Sequence, residues 1–233
     1  MVEAPVKNAI RIAIVGAEST GKTALAQALS RRLGEVSGLT CTWVPELLRQ
    51  WCDAQGRTPL QHEQIDIARG QQRRIDAAAA VHDVVVCDTT ALMTAVYSRM
   101  VFNDRSLDAY ALAEHARCQV TLLSALDLPW VADGLQRDGA HVREPVDAFL
   151  RELLAGHGLG WSLVAGQGEA RVEAAVDAVA PLLRPLAGPR SGLLSRLLDR
   201  DAAAPDWPWR CEHCDAPECE HAARQQRLQE AAR

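Results

Sequence analysis

Residues 9–15 read AIRIAIV, a short run of β-branched and small apolar side chains that ends at Gly16. Residues 23–35 (TALAQALSRRLGE) then place their apolar positions at three- and four-residue spacing, which predicts strand, tight loop and helix in that order. A second strand is predicted over 40–44, stopped by Pro45, with helical spacing over 46 to about 55 and 59 to about 81. The pattern returns to strand over 84–87, between Asp83 and Asp88. Helices follow over 90–100 and 107–117, then a strand over 119–123, a polar loop, and a helix over about 145–155. A strand over 162–165 and a helix over 169–183 close the series. Five short strands alternating with helices predict an α/β fold: a mostly parallel five-stranded sheet with helices on both faces.

Beyond Pro181 the texture changes. Pro185, Gly188, Pro189 and Gly192 stop the last helix and mark a linker, followed by a small helix over about 193–198. The expected organisation is one domain over 1–187 and a tail over 188–233. With 233 residues, 48% hydrophobic and 24% charged, the chain has ordinary globular composition and is not a mostly disordered one. A net charge of −5 gives no electrostatic reason to expect a nucleic-acid partner. No apolar run approaches the roughly 18 residues of a spanning helix, so no membrane partner and a cytoplasmic location are expected. Cys41, Cys52, Cys87 and Cys118 are scattered and read as reduced core residues.

Gly16-Ala17-Glu18-Ser19-Thr20-Gly21-Lys22-Thr23 fits G-x-x-x-x-G-K-[ST] in full, with a strand before it and a helix after it. The glycines permit close backbone approach, so that successive N–H groups point at phosphate oxygens. The helix that starts near Lys22 adds its positive end. Lys22 supplies a cation for the β and γ phosphates, and the Thr23 hydroxyl is a ligand for magnesium. The nucleotide contacts are expected from Gly16, Glu18, Ser19, Thr20, Gly21, Lys22, Thr23 and Ala24. Asp88, directly after an apolar strand, is either the second magnesium partner or the cap of the following helix.

Cys211, Cys214, Cys219 and His221 have the spacing C-x2-C-x4-C-x-H, which suits a small tetrahedral zinc site. His213 is the alternative fourth ligand, and an exposed tail of reduced thiols is the alternative to a metal. A closed site would be structural or would dock a protein partner.

GAESTGKT at 16–23, PELLR at 45–49, IARGQQRRID at 67–76, CDTT at 87–90 and above all LPWVADGLQRDG at 128–139 together resemble the ribosylnicotinamide kinase domain of the bifunctional bacterial nicotinamide-nucleotide adenylyltransferase and kinase proteins. The resemblance spans about residues 10–184. It implies a P-loop kinase fold, ATP as donor, magnesium, and conversion of nicotinamide riboside to nicotinamide mononucleotide. Only 15 residues precede Gly16, which reads as a standalone kinase domain. The chain also carries Asp88-Thr89-Thr90 where that family often shows a second acidic residue.

Phosphoryl transfer asks mainly for positioning and charge neutralisation. Arg137 and Arg143 lie in a polar segment that looks like the lid of such kinases, where two guanidinium groups would clamp the moving phosphoryl; the bland alternative is a solvated loop. Glu46 is the candidate to orient or deprotonate the acceptor hydroxyl, with Arg49 one turn on as its partner, or else an acidic residue that merely suits a helix start. Asp133 either holds ribose or fixes the lid. Six tryptophans against two tyrosines and two phenylalanines are an unusual share. Trp130, and after it Trp51, could stack on a cationic ring, core packing being the alternative. Gln71 and Gln72 border the acceptor pocket by resemblance, or face solvent. The expected small-molecule partner is nucleoside-like. The competing functions are a nucleotide-dependent regulatory module and a kinase for another nucleoside or a vitamin alcohol.

Overall fold

The computed structural model describes residues 9–131 and 139–183. Its strands are β1 (Ile10–Val15), β2 (Cys41–Val44), β3 (Val84–Asp88), β4 (Val120–Ser124) and β5 (Ser162–Val164). Its helices are α1 (Lys22–Ser37), α2 (Leu47–Gln55), α3 (Gln64–Ala79), α4 (Ala91–Phe102), α5 (Asp108–His115), α6 (Arg143–Gly156) and α7 (Gly168–Leu183), with 3-10 turns at Gln61–Glu63 and Ala140–Val142. The strands form one sheet in the order β2-β3-β1-β4-β5, and every pairing is parallel.

β1 lies at the centre because its residues are apolar on both faces: Ile12, Ala13, Ile14 and Val15 have no exposed surface, as a strand covered on both sides requires. α1 and α7 pack together on one face. On the other, Ile75 and Ala79 of α3 cover Val44, Val85 and Cys87, while α4 and α6 close around Val15 and Leu123 through Leu92, Val96, Val146 and Leu150. The expected α/β architecture is what the chain adopts.

The register pairs Ile14 with Asp88 and Val15 with Leu123. The carboxyl ends of β3, β1 and β4 are therefore level, and β1 lies where chain connections leave to opposite sides, the place where open α/β sheets bind ligands.

Three details depart from the expectation over the chain. The helix predicted from residue 59 begins at Gln64 after a 3-10 turn, because the Glu63 carboxylate turns back to accept from the Leu60 N–H at 2.7 Å and to pair with Arg57 at 2.7 Å. β3 runs one residue further, so that Asp88 is its last residue rather than the residue after it. The N-cap of α4 is Thr90, whose hydroxyl accepts from the Leu92 N–H at 3.3 Å; Asp88 does not cap that helix. Cys41, Cys52, Cys87 and Cys118 are unbonded thiols. Among the described residues no helix is long and apolar enough to cross a membrane.

Candidate functional site

The loop between β1 and α1 winds tightly enough to need its glycines. Gly16 has φ +145°, and a Cβ there would lie 3.1 Å from both the Cβ and the carbonyl oxygen of Ser124, so no side chain fits against the end of β4. Gly21, at φ +73°, is the N-cap of α1 and makes no side-chain cap. The first amides of α1 are thereby left for another acceptor. Inside the loop the Thr20 hydroxyl and the Lys22 ammonium both donate to the Ala17 carbonyl, at 2.8 and 2.7 Å.

Lys22 is held below the usual lysine pKa by burial, against the opposing pull of the Glu46 and Asp88 carboxylates and, more weakly, Glu18. Asp88 is its counterpart, pushed up by burial and drawn down by the Thr23 hydrogen bond and the Lys22 charge. Thr23 Oγ1 donates to Asp88 Oδ2 at 2.7 Å. Asp88 Oδ1 is buried and has no hydrogen-bond partner among the described residues. A hydroxyl and a carboxylate with one oxygen to spare, beside the partly buried Lys22 ammonium, form an all-oxygen donor set of the kind that takes a hard divalent ion such as magnesium.

Glu46 ends the β2–α2 turn as the N-cap of α2 without capping it by its side chain. Arg49 Nε lies 3.8 Å from its Oε2. The Glu46 carboxylate acts on Lys22 and its backbone amide on Asp88, so the ends of β2, β3 and β1 meet in one electrostatic neighbourhood. Arg143, the first residue of α6, is 8% exposed, and its Nε and Nη2 are buried with no partner among the described residues. The segment leading from β4 leans on the phosphate loop: Ser19 Oγ donates to the Val131 carbonyl at 3.0 Å and accepts from its N–H at 2.8 Å, and the space over Gly21 is filled by Leu128. The indole Nε1 of Trp130 is buried without a partner among the described residues. Trp51 is engaged elsewhere, with the Arg57 guanidinium 4.9 Å above its ring.

Asp133 and Arg137 lie outside the described residues, as do Cys211, Cys214, Cys219, His221 and the boundary near Gly188. Among the described residues no cluster of histidine, cysteine and acidic side chains forms a metal site.

One anchoring residue escaped the reading of the sequence. Arg171 on α7 is 4% exposed and donates to the Thr20 carbonyl at 3.0 Å, the Gly166 carbonyl at 2.9 Å and Asp127 Oδ1 at 2.8 Å. It ties the phosphate loop to the ends of β4 and β5. The signal for it was present: Arg171 falls on the stripe of α7 that buries Ala175, Val176 and Val179, where a charge has no place unless it has a task.

Parallel sheet, glycine-bounded loop at the end of the central strand, and a threonine on a strand-end carboxylate define the class of P-loop NTPases. Within it, the family model AAA_28, described as AAA domain, matches residues 11–171, and the chain belongs to that family. No curated protein matches the chain significantly. Among solved structures, the crystal structure of NadR protein in complex with NR superposes with a TM-score of 0.61 at 20% identity, covering 74% of this chain and 50% of that one. NadR protein in complex with NAD and AMP-PNP gives 0.60 at 20% identity, covering 74% and 49%. The chain thus spans about half the length of these structures, and at that identity the likeness is one of fold.

Proposed function

We propose that the protein is an ATP-dependent small-molecule kinase whose acceptor is a nucleoside-like alcohol, nicotinamide riboside first among them. The observation that carries this reading is the meeting of Glu46, Lys22 and Asp88 at adjacent strand ends. Asp88 is followed by Thr89 and Thr90, so β3 ends without a second acid to polarise a water. The next carboxylate in that neighbourhood, Glu46, comes from the turn between β2 and α2, and the proposal gives it the acceptor hydroxyl. That arrangement favours transfer to an alcohol over hydrolysis. The resemblance of GAESTGKT, PELLR and LPWVADGLQRDG to ribosylnicotinamide kinases and the ligand NR in a structural relative support the choice of acceptor.

In this mechanism the loop amides from Gly16 to Ala24 and the Lys22 ammonium hold the polyphosphate. Thr23 and Asp88 would hold magnesium, which when bound neutralises charge on the β and γ phosphates. The acceptor oxygen forms its bond to the γ phosphorus as the bond to the β–γ bridging oxygen breaks, and its proton passes to Glu46, oriented by Arg49. The spare N–H groups of Arg143 suit the charge on the equatorial oxygens, with Arg137 as its counterpart in the lid and Asp133 on the ribose or the lid. Trp130 would stack on the acceptor ring. Product mass after incubation with ATP, magnesium and a panel of nucleosides and vitamin alcohols tests the reading. A phosphorylated nicotinamide riboside is expected; phosphorylation of a different acceptor alone would correct the substrate, and ATP consumption with no phosphorylated product would favour a regulatory NTPase.

For residues 188–233 the proposal is a structural zinc site of Cys211, Cys214, Cys219 and His221, by the spacing of the ligands. About one zinc per chain is expected in protein purified without chelator, and a loss of that zinc in Cys211→Ser; zinc-free wild-type protein would refute it.

A further inference from the structure

The buried side of α3 carries Gln64, Gln71 and Gln72 among Ile67, Ala68, Ile75 and Ala79, so three carboxamides occupy positions that spacing alone would give to apolar side chains. Gln71 is 2% exposed. Its Oε1 accepts from the N–H of Leu47, the first residue of α2, at 2.7 Å. It thus satisfies, from a neighbouring helix, one of the amides that Glu46 leaves uncapped. That bond also settles which end of the carboxamide is which, because the atom facing an N–H must be the oxygen. Leu47 reaches α3 where Gly70 leaves room: a Cβ at Gly70 would lie 2.5 Å from Leu47 Cδ2.

The nitrogen is the unexplained half. Gln71 Nε2 is buried and has no hydrogen-bond partner among the described residues, whereas the adjacent Gln72 uses its own amide on Asp76 at 3.2 Å. Buried amide donors are rarely left unmatched unless something outside the fold matches them. This one belongs to a side chain bonded one residue from Glu46, the group placed on the acceptor hydroxyl.

We infer that Gln71 reads the acceptor: its Nε2 donates to a second oxygen of the molecule whose hydroxyl is phosphorylated, while its Oε1 fixes the start of α2 and hence Glu46. The inference rests on the kinase reading. It names the acceptor class more closely, as a polyol such as a pentose whose reacting hydroxyl has a neighbouring oxygen, rather than an isolated alcohol. A site built around a hydrogen bond discriminates strongly against an analogue that lacks the oxygen, because the protein group is then left unmatched.

Steady-state kinetics with ATP, magnesium and nicotinamide riboside, its 2′-deoxy and its 3′-deoxy analogues test it in the wild type and in Gln71→Glu, which keeps an oxygen toward Leu47 and loses the N–H donors. One deoxy analogue is expected to be a poor acceptor for the wild type, by about 30-fold or more in kcat/KM. Gln71→Glu is expected to lose a similar factor on the full riboside, to lose little further on that analogue, and to keep its KM for ATP within about twofold. Equal use of all three acceptors by the wild type overturns the inference without any variant. So does a Gln71→Glu enzyme that keeps its acceptor kcat/KM within about threefold, or that loses ATP affinity in step; in each of these the kinase reading stands. A wild type that phosphorylates none of the three overturns both.

Discussion

His115 shows how a single buried side chain can set the pH range of the fold. It is 1% exposed, with Nδ1 2.9 Å from the Thr90 hydroxyl and Nε2 2.9 Å from that of Thr121. Burial lowers its pKa to about 4 from 6.5. A neutral ring in this cage joins the cap of α4 to β4, two residues beyond Asp88, and a protonated ring would place a charge among hydroxyls and apolar neighbours. The unfolded chain binds the proton more readily between those two values, so stability is fully present above pH 6.5 and falls as pH drops toward 4. The loss expected from this group is on the order of 3 kcal/mol. Urea unfolding at several pH values should show it, and His115→Gln, which keeps hydrogen bonding without a titrating ring, should flatten the curve over that window. A slope unchanged in the variant would assign the acid sensitivity to other groups.

At the scale of elements, strands and helices follow from spacing to within a few residues because each strand is short, apolar and bounded by polar or helix-breaking residues. β1, flanked by Gly16, and β3, closed by Asp88, are the clearest cases. The phosphate loop was legible for the same reason: its residues are contiguous, and each answers a local demand of the backbone. What spacing hid was the burial of polar groups within apolar stripes, namely Gln64, Gln71 and Gln72 on α3, Arg143 on α6 and Arg171 on α7. The partners of Gln71 and Arg171 come from other elements, and a one-dimensional pattern shows the stripe but not the neighbour across it. Arg171 gives this a measurable consequence. Replacing it by methionine keeps most of the apolar stem and leaves Thr20 O, Gly166 O and Asp127 without their shared donor. A cost of about 2–4 kcal/mol is expected, or roughly 5–15 °C in Tm for a chain of this size. Calorimetry of Arg171→Met within about 2 °C of wild type would mean that water replaces the guanidinium at no cost.

Across the whole molecule the parallel sheet gathers groups from four separate stretches at one edge: Gly16 to Ala24 after β1, Glu46 after β2, Asp88 at the end of β3, and Ser124 to Val131 from β4 onward. A nucleotide held there touches the ends of several elements at once and should stabilise the folded domain as a unit. With ATP at about 100 times its Kd, linkage gives close to 2.7 kcal/mol, which is roughly 5–11 °C in Tm. The magnesium-dependent part of that shift should vanish in Asp88→Asn, since the amide removes the charged oxygen pair next to Thr23 but leaves the loop amides and Lys22 in place. Lys22→Ala should lose most of the shift with or without the metal. The unliganded Asp88→Asn protein should not be less stable than wild type, because the carboxylate is already raised in pKa by burial and a neutral amide is cheaper to keep there. Scanning calorimetry of the three proteins with no ligand, with ATP and with ATP and magnesium separates these contributions. Equal shifts in wild type and Lys22→Ala would show that the polyphosphate is not held by this loop, and the site described at the carboxyl edge of the sheet would have to be given up.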